Sequence, residues 1–195
     1  MDRRVKRTRT ALQDALIALL REKSLEQIEI QEITDLADTA RVTFYRHYGT
    51  KEELLLDTME TIYHDLLASI ELPTISAMMN LNNNPPMIQL FEFVAQDRAF
   101  YKKIFMSSVS SLVQQRLREY IVEQITLAFS KSLMYRTANA PVTLVANNIA
   151  SLMIGNVTWW LVDDLPYSPE YMARMTRRVL VLGIMGLAGQ KGEEK

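Results

Sequence analysis

The chain has 195 residues, 48% of them hydrophobic, with a formal net charge of -1 and no cysteine. That is enough apolar chain for one ordinary domain or two small ones with a real core, and it excludes disulfides, thiolate chemistry and cysteine-based metal sites. A charge near zero does not itself point to nucleic acid, but its placement is informative: Arg3, Arg4, Lys6, Arg7 and Arg9 oppose only Asp2 in the first ten residues, which reads either as a solvated disordered arm or as one that follows a phosphate backbone or enters a minor groove.

In chain order, Thr8 is the expected N-cap of a helix whose stripe is Leu12, Ala15, Leu16, Leu19 and Leu20, the spacing of one buried face. A basic start that runs into an amphipathic helix is not a signal peptide. After a short connection over 24–29, Ile30, Ile33 and Ala37 recur at helical spacing and give a second helix one buried face. A third helix is expected from Arg41 to Tyr48, with Val42, Phe44, Tyr45 and Tyr48 turned inward and Arg41, Thr43, Arg46 and His47 outward. Gly49 is the expected left-handed C-cap, and Thr50-Lys-Glu-Glu53 a capping box that starts a long helix carrying Leu55, Met59, Ile62 and Leu66 on one face toward about residue 70. Two short helices around a tight turn, the second dense in basic, hydroxyl and aromatic residues, form the pattern of a helix-turn-helix DNA reader. Lys51, in the first turn of the next helix, would lie near free backbone N–H groups, a place to hold a phosphate.

The run Ala37-Asp-Thr-Ala-Arg-Val-Thr-Phe-Tyr-Arg-His-Tyr48 followed by Lys51-Glu-Glu-Leu54 resembles the TetR family of one-component bacterial transcriptional regulators. The resemblance covers residues 8–54. It departs at Asp38, where the family's turn usually has Gly, at Ala40, where a capping Ser is usual, and at Glu29, where a Thr often caps. Asp tolerates a left-handed backbone better than most residues, Ala40 costs the recognition helix its side-chain cap, and a carboxylate at Glu29 would repel a nearby phosphate.

Leu72-Pro73 to Asn84-Pro85-Pro86 is breaker chemistry and is expected to be a loop. Helices are then expected over 87–95, 98–106, 110–132, 141–163 and 169–188, with Pro141 in the first turn of one and Ser168-Pro169-Glu170 opening the last. The expected class is therefore all-α: a three-helix DNA-binding domain over 1–50, and a helical regulatory and dimerisation domain over 51–195. Asn147, Asn148, Ser151 and Asn156 interrupt the longest apolar stretch, so it reads as a buried helix and not a membrane span. Helices 141–163 and 169–188 are apolar nearly all round and so need covering on every side, and Gly155, Gly183 and Gly186 would permit close approach between helices. The resemblance implies that these two helices pair with their copies as a four-helix dimer interface; the alternative is a monomer with a large core. It also implies that the fourth helix transmits movement between the reading and sensing parts.

No catalytic constellation is found. His47 and His64 lack neighbouring thiols or carboxylates in a zinc pattern, no Gly-x-Ser-x-Gly elbow surrounds the serines, Asp163-Asp164 reads as a solvated helix end, and no Gly-rich phosphate loop is present. Neither a metal nor a cofactor is expected. Tyr63, His64, Met87, Phe91, Arg98, Phe105, Met106 and Trp159 lie on helices that in the resembling family surround an effector cavity, with His64 and Arg98 as its polar groups; the alternative for each, and the commoner role of such residues, is plain core. The reading is a cytoplasmic, homodimeric repressor of a palindromic double-stranded operator, released by a small apolar or amphipathic effector. Arg41, Thr43 and Gln31 are its candidate base contacts, and Tyr45, Arg46, His47 and Lys51 its phosphate contacts. The alternative is an activator or co-regulator whose C-terminal domain binds a partner protein.

Overall fold

The computed structural model describes residues 3–69, 87–130 and 141–189, and within them all regular structure is helical. The helices described are α1 (Arg3–Glu22), α2 (Ile30–Leu36), α3 (Arg41–His47), α4 (Lys51–Ser69), α5 (Ile88–Gln96), α6 (Arg98–Phe105), α7 (Ser110–Ser130), α8 (Val142–Val162) and α9 (Pro169–Gly189), with a 3-10 turn at Leu25–Gln27. Most boundaries fall within two residues of the sequence reading; the loop expected over 72–86 lies outside the described residues. No helix among those described is long and apolar enough to cross a membrane.

One boundary differs in a way that matters for function. The first helix begins at Arg3, not after Thr8, and the Thr8 hydroxyl donates to the Arg4 carbonyl at 3.1 Å from inside it. The basic segment is therefore the first two turns of α1. Arg and Lys are good helix formers and no Gly or Pro intervenes, so the helix propagates through them.

The chain divides into two compact units that alternate along it, Met1–Asp65 with Arg98–Arg116 and Leu66–Asp97 with Leu117–Lys195. This does not coincide with a division at 50/51, because α6 packs on α1. The Lys103 ammonium donates to the carbonyls of Leu20 at 3.1 Å and Arg21 at 2.7 Å, satisfying groups that the end of α1 would otherwise leave open. Beside it, the Ser108 N–H and hydroxyl both donate to the Glu26 carboxylate, at 3.1 and 2.8 Å. The core of this unit is the α1 stripe Leu12, Leu16 and Leu20 together with Leu25, Ile28, Ile33, Phe44, Leu54 and Leu55, all fully buried.

In the second unit α5 and α8 both pack on α9. Phe91 meets the buried Trp160 edge to face, with ring centroids 5.3 Å apart. A second cluster gathers Phe129, Val145, Ile149 and Leu180, flanked by Met87 and Ile125. Helix α8 buries one broad face (Val145, Ala146, Ile149, Ala150, Ile154, Val157, Trp160, Leu161) and exposes Leu144, Trp159 and Val162 on the other; α9 likewise exposes Tyr171, Val179 and Leu182. A Cβ at Gly155 or Gly183 would meet nothing within 4 Å among the described residues, so neither glycine serves a close approach between them.

Candidate nucleic-acid interface

The helix-turn-helix is built from short, locally determined pieces. Asp38, at φ 49°, takes the left-handed turn after α2, a conformation Asp adopts more readily than most non-glycine residues. The Thr39 N–H then donates to the Thr34 carbonyl at 3.0 Å and closes the turn. Ala40 offers no side-chain cap to α3. Beyond α3 the chain leaves through an extended Tyr48 (φ -141°), and Gly49 is not left-handed as its composition suggests. Instead the Gly49 N–H donates to the Glu53 carboxylate at 2.7 Å while the Glu53 N–H donates to the Thr50 hydroxyl at 3.1 Å. Half of the expected capping box forms, its carboxylate reaching one residue further back.

The faces of α3 differ from expectation. Phe44 is fully buried and Tyr48 nearly so, but Val42 is 60% and Tyr45 48% exposed, while Thr43 and His47 are half-buried. The reason is angular. At about 100° per residue, positions 44 and 48 lie about 40° apart, and 41, 45, 42 and 46 follow in that order over a contiguous arc of about 140°. The outward face is thus Arg41, Val42, Tyr45 and Arg46. The Arg41 guanidinium donates to the Tyr45 hydroxyl at 3.2 Å and lies 5.7 Å from its ring centroid, which holds both side chains in an outward array.

A polar network fixes this helix against its neighbours. The Tyr48 hydroxyl donates to the Asp57 carboxylate on α4 at 2.5 Å, and from α1 Arg9 pairs with the same carboxylate while Gln13 donates to it at 2.9 Å and to the Thr61 hydroxyl at 3.1 Å. Burial and the Asp57 carboxylate push the Tyr48 hydroxyl up to about 12, so it remains a donor at neutral pH. None of this was legible in the sequence, because partners 9 to 48 positions apart leave no periodic signal.

Of the other expected DNA contacts, Gln31 is exposed on α2 and donates to Asp35 at 2.7 Å. Lys51 is placed differently from expectation: its ammonium donates to the carbonyls of Leu25 at 2.8 Å, Glu26 at 3.3 Å and Ile28 at 2.7 Å. All three N–H donors of an ammonium are thereby engaged, and Lys51 locks the 3-10 turn to the start of α4. The expected effector-contacting residues are divided between the units. In the first, Tyr63 and Phe105 are buried, whereas His64, beside Asp65, Arg98 and Met106 are exposed. In the second, Phe91 is buried, Met87 half-buried and Trp159 exposed. The Tyr63 hydroxyl is buried without a hydrogen-bond partner among the described residues, and desolvation pushes its pKa up strongly.

Comparison with known proteins bears on this reader directly. Residues 12–58 match the model described as bacterial regulatory proteins, tetR family, and residues 82–181 match a transcriptional regulator C-terminal region of the same family. The chain belongs to the TetR family. Its helix-turn-helix is that of DNA-binding transcriptional regulators, a family of regulators and not of enzymes, whose members bind operator DNA and act as dimers. Among relatives, this TetR-family chain is 29% identical over 183 residues to the helix-turn-helix-type transcriptional regulator YxbF of Bacillus subtilis (strain 168), with 89% of the chain covered. It spans 44% of that relative's length. Its fold is shared with a TetR-family transcriptional regulator from Syntrophomonas wolfei, at TM-score 0.66 and 21% identity over 93% of this chain and 97% of that one. It is shared also with the dihydroxyacetone kinase operon activator DhaS, at TM-score 0.60 and 16% identity over 92% and 97%.

Proposed function

We propose that the protein is a homodimeric, sequence-specific regulator of transcription in the cytoplasm, a repressor that α3 seats in the major groove of a palindromic operator. The observation that carries this reading is the outward face of α3, where Arg41, Val42, Tyr45 and Arg46 stand clear of the core on a helix otherwise anchored by Phe44 and Tyr48. Arg41 suits a base edge, and Arg46, Tyr45 and His47 suit phosphates. Thr43, half-buried on α3, and Gln31, exposed on α2, are further candidates for base contact. Lys51 acts by holding the turn in front of α4.

Dimerisation through α8 and α9 is supported by the exposed apolar side chains Leu144, Trp159, Val162, Val179 and Leu182, and by Gly155 and Gly183, which are exposed in the same two helices. A two-fold axis there gives two readers one DNA turn apart or farther. The Tyr63 hydroxyl, buried and without a hydrogen-bond partner among the described residues, supports release by an amphipathic effector. Leaving such a group unsatisfied costs roughly 1–3 kcal/mol, and a ligand that bonds to it in the non-binding state shifts the population toward that state.

Selection of bound duplexes from a random pool at fixed salt tests the reading. A two-fold symmetric motif is expected, and Leu182→Glu should dissociate the dimer in sedimentation and abolish selection of both half-sites together. Recovery of no enriched sequence overturns the proposal.

A further inference from the structure

Val42 is out of place as a structural residue. It is the second residue of α3, it is 60% exposed, and its neighbours on the outward face are two arginines and a tyrosine. A β-branched side chain lowers helix propensity, and in solvent it contributes no burial in return. A lone exposed valine elsewhere would need no explanation. Here it occupies the middle of the face that addresses DNA. On the helical wheel the exposed arc runs from Arg41 to Arg46, with Tyr45 and Val42 about 30° to either side of its centre. The arc's edges therefore carry charge, and its centre carries the one aliphatic group.

The position in the helix narrows what that group does. In helix-turn-helix readers the N-terminal residues of the recognition helix approach base edges, and Arg41 and Val42 are the first two residues of α3. An aliphatic side chain has neither donor nor acceptor. The base-edge feature in the major groove that rewards it is the C5-methyl of thymine. The exposure is also not an artefact of loose packing, since Phe44 and Tyr48 outside that arc are buried and Tyr48 is bonded to Asp57. The arginine beside it donates to the Tyr45 hydroxyl at 3.2 Å.

We infer that Val42 is a specificity-determining residue that reads one thymine methyl in each half-site, so that each operator arm carries an obligatory A·T pair at that position. This rests on the proposed DNA-reading function and makes a narrower claim. The test uses the full-length protein and the operator recovered from the random pool. Each thymine is replaced in turn by deoxyuridine, which deletes the methyl and leaves every hydrogen-bonding group unchanged.

For the wild type, one symmetry-related pair of positions should lose affinity, about four-fold per half-site, the worth of one buried methyl. In Val42→Ala that same replacement should cost nothing, while penalties at all other thymines persist. Val42→Ala should unfold at the wild-type midpoint or above it, since the side chain is exposed and Ala is the better helix former. An enriched operator in which no deoxyuridine penalty disappears in Val42→Ala overturns the assignment of Val42 and leaves the DNA-reading function standing. Failure to enrich any operator overturns both.

Discussion

Taken each by itself, the two units show different kinds of tie among their described residues. In the first, elements are tied by charge-assisted bonds: Arg9, Gln13 and Tyr48 converge on Asp57, Lys51 clasps the 3-10 turn, Lys103 caps α1, and Glu26 receives Ser108. In the second, the described residues include the apolar contacts of Phe91 with Trp160 and of the cluster around Phe129, together with a bond from Asn156 to Thr176 at 2.8 Å. Apolar packing constrains volume more than direction, and cores tolerate rearrangement if volume is kept. Hydrogen bonds constrain direction. A reader that must present α3 at a fixed angle is suited to the first, whereas the second constrains the volume of its core more than the direction of its groups.

The contrast can be broken at its strongest points. Trp160→Ala should have the largest effect on stability, on the order of 3–5 kcal/mol, because it empties a fully buried site and also removes the indole N–H that donates to the Tyr167 carbonyl at 2.9 Å. Urea unfolding measures it, and a loss below about 1 kcal/mol would mean that packing does not hold this unit. Asp57→Ala should cost less stability, on the order of 1–3 kcal/mol, yet reduce operator affinity more than the unfolded fraction explains. Deleting a carboxylate from a DNA-binding unit should by charge alone strengthen binding, so a fall in affinity identifies loss of orientation. Unchanged or improved binding would show that Asp57 does not aim α3.

The smallest effect concerns acid. The Glu26 carboxylate, bonded first to its own backbone N–H and then to the Ser108 N–H and hydroxyl, is held down at about 2 from an ordinary value of 4.5. A depressed carboxylate stabilises the fold above its unfolded pKa, and that contribution is lost as pH falls through the folded one. Stability should therefore decline between about pH 4.5 and pH 2 more steeply in the wild type than in Ser108→Ala. Equal slopes in acid-unfolding curves would remove this contact from the set of ties that distinguishes the first unit.

How much of this was legible depends on the range of the interactions. The helices of both units are written in local periodicity, as in Leu12-Leu16-Leu20 and in the Ser168-Pro169-Glu170 start of α9. The turn at Asp38 follows from the tolerance of that residue for a left-handed backbone. What stayed hidden is long-range or angular. The Asp57 hub joins side chains of α1 and α4 with Tyr48 at the end of α3, the ends of Lys51 and Lys103 find carbonyls more than twenty positions away, and α6 packs on α1 from far along the chain. The misassigned face of α3 had a different cause: apolar character suggested burial for Val42 and Tyr45, whereas helix geometry turns them outward.

The uninterrupted start of α1 carries one more consequence. Its first turn holds Arg3, Arg4 and Lys6 and no acidic residue, so three cations crowd the positive end of the helix dipole, the end at which anions are favoured. Cations at that end oppose the helix dipole. A phosphate placed there neutralises both the side chains and the dipole, so the tip of α1 should firm up as nucleic acid arrives, and its amide protection from exchange should rise on binding. Part of the counterion release that drives association would then be spent on ordering this turn, and the heat of binding at low salt would carry the signature of helix formation.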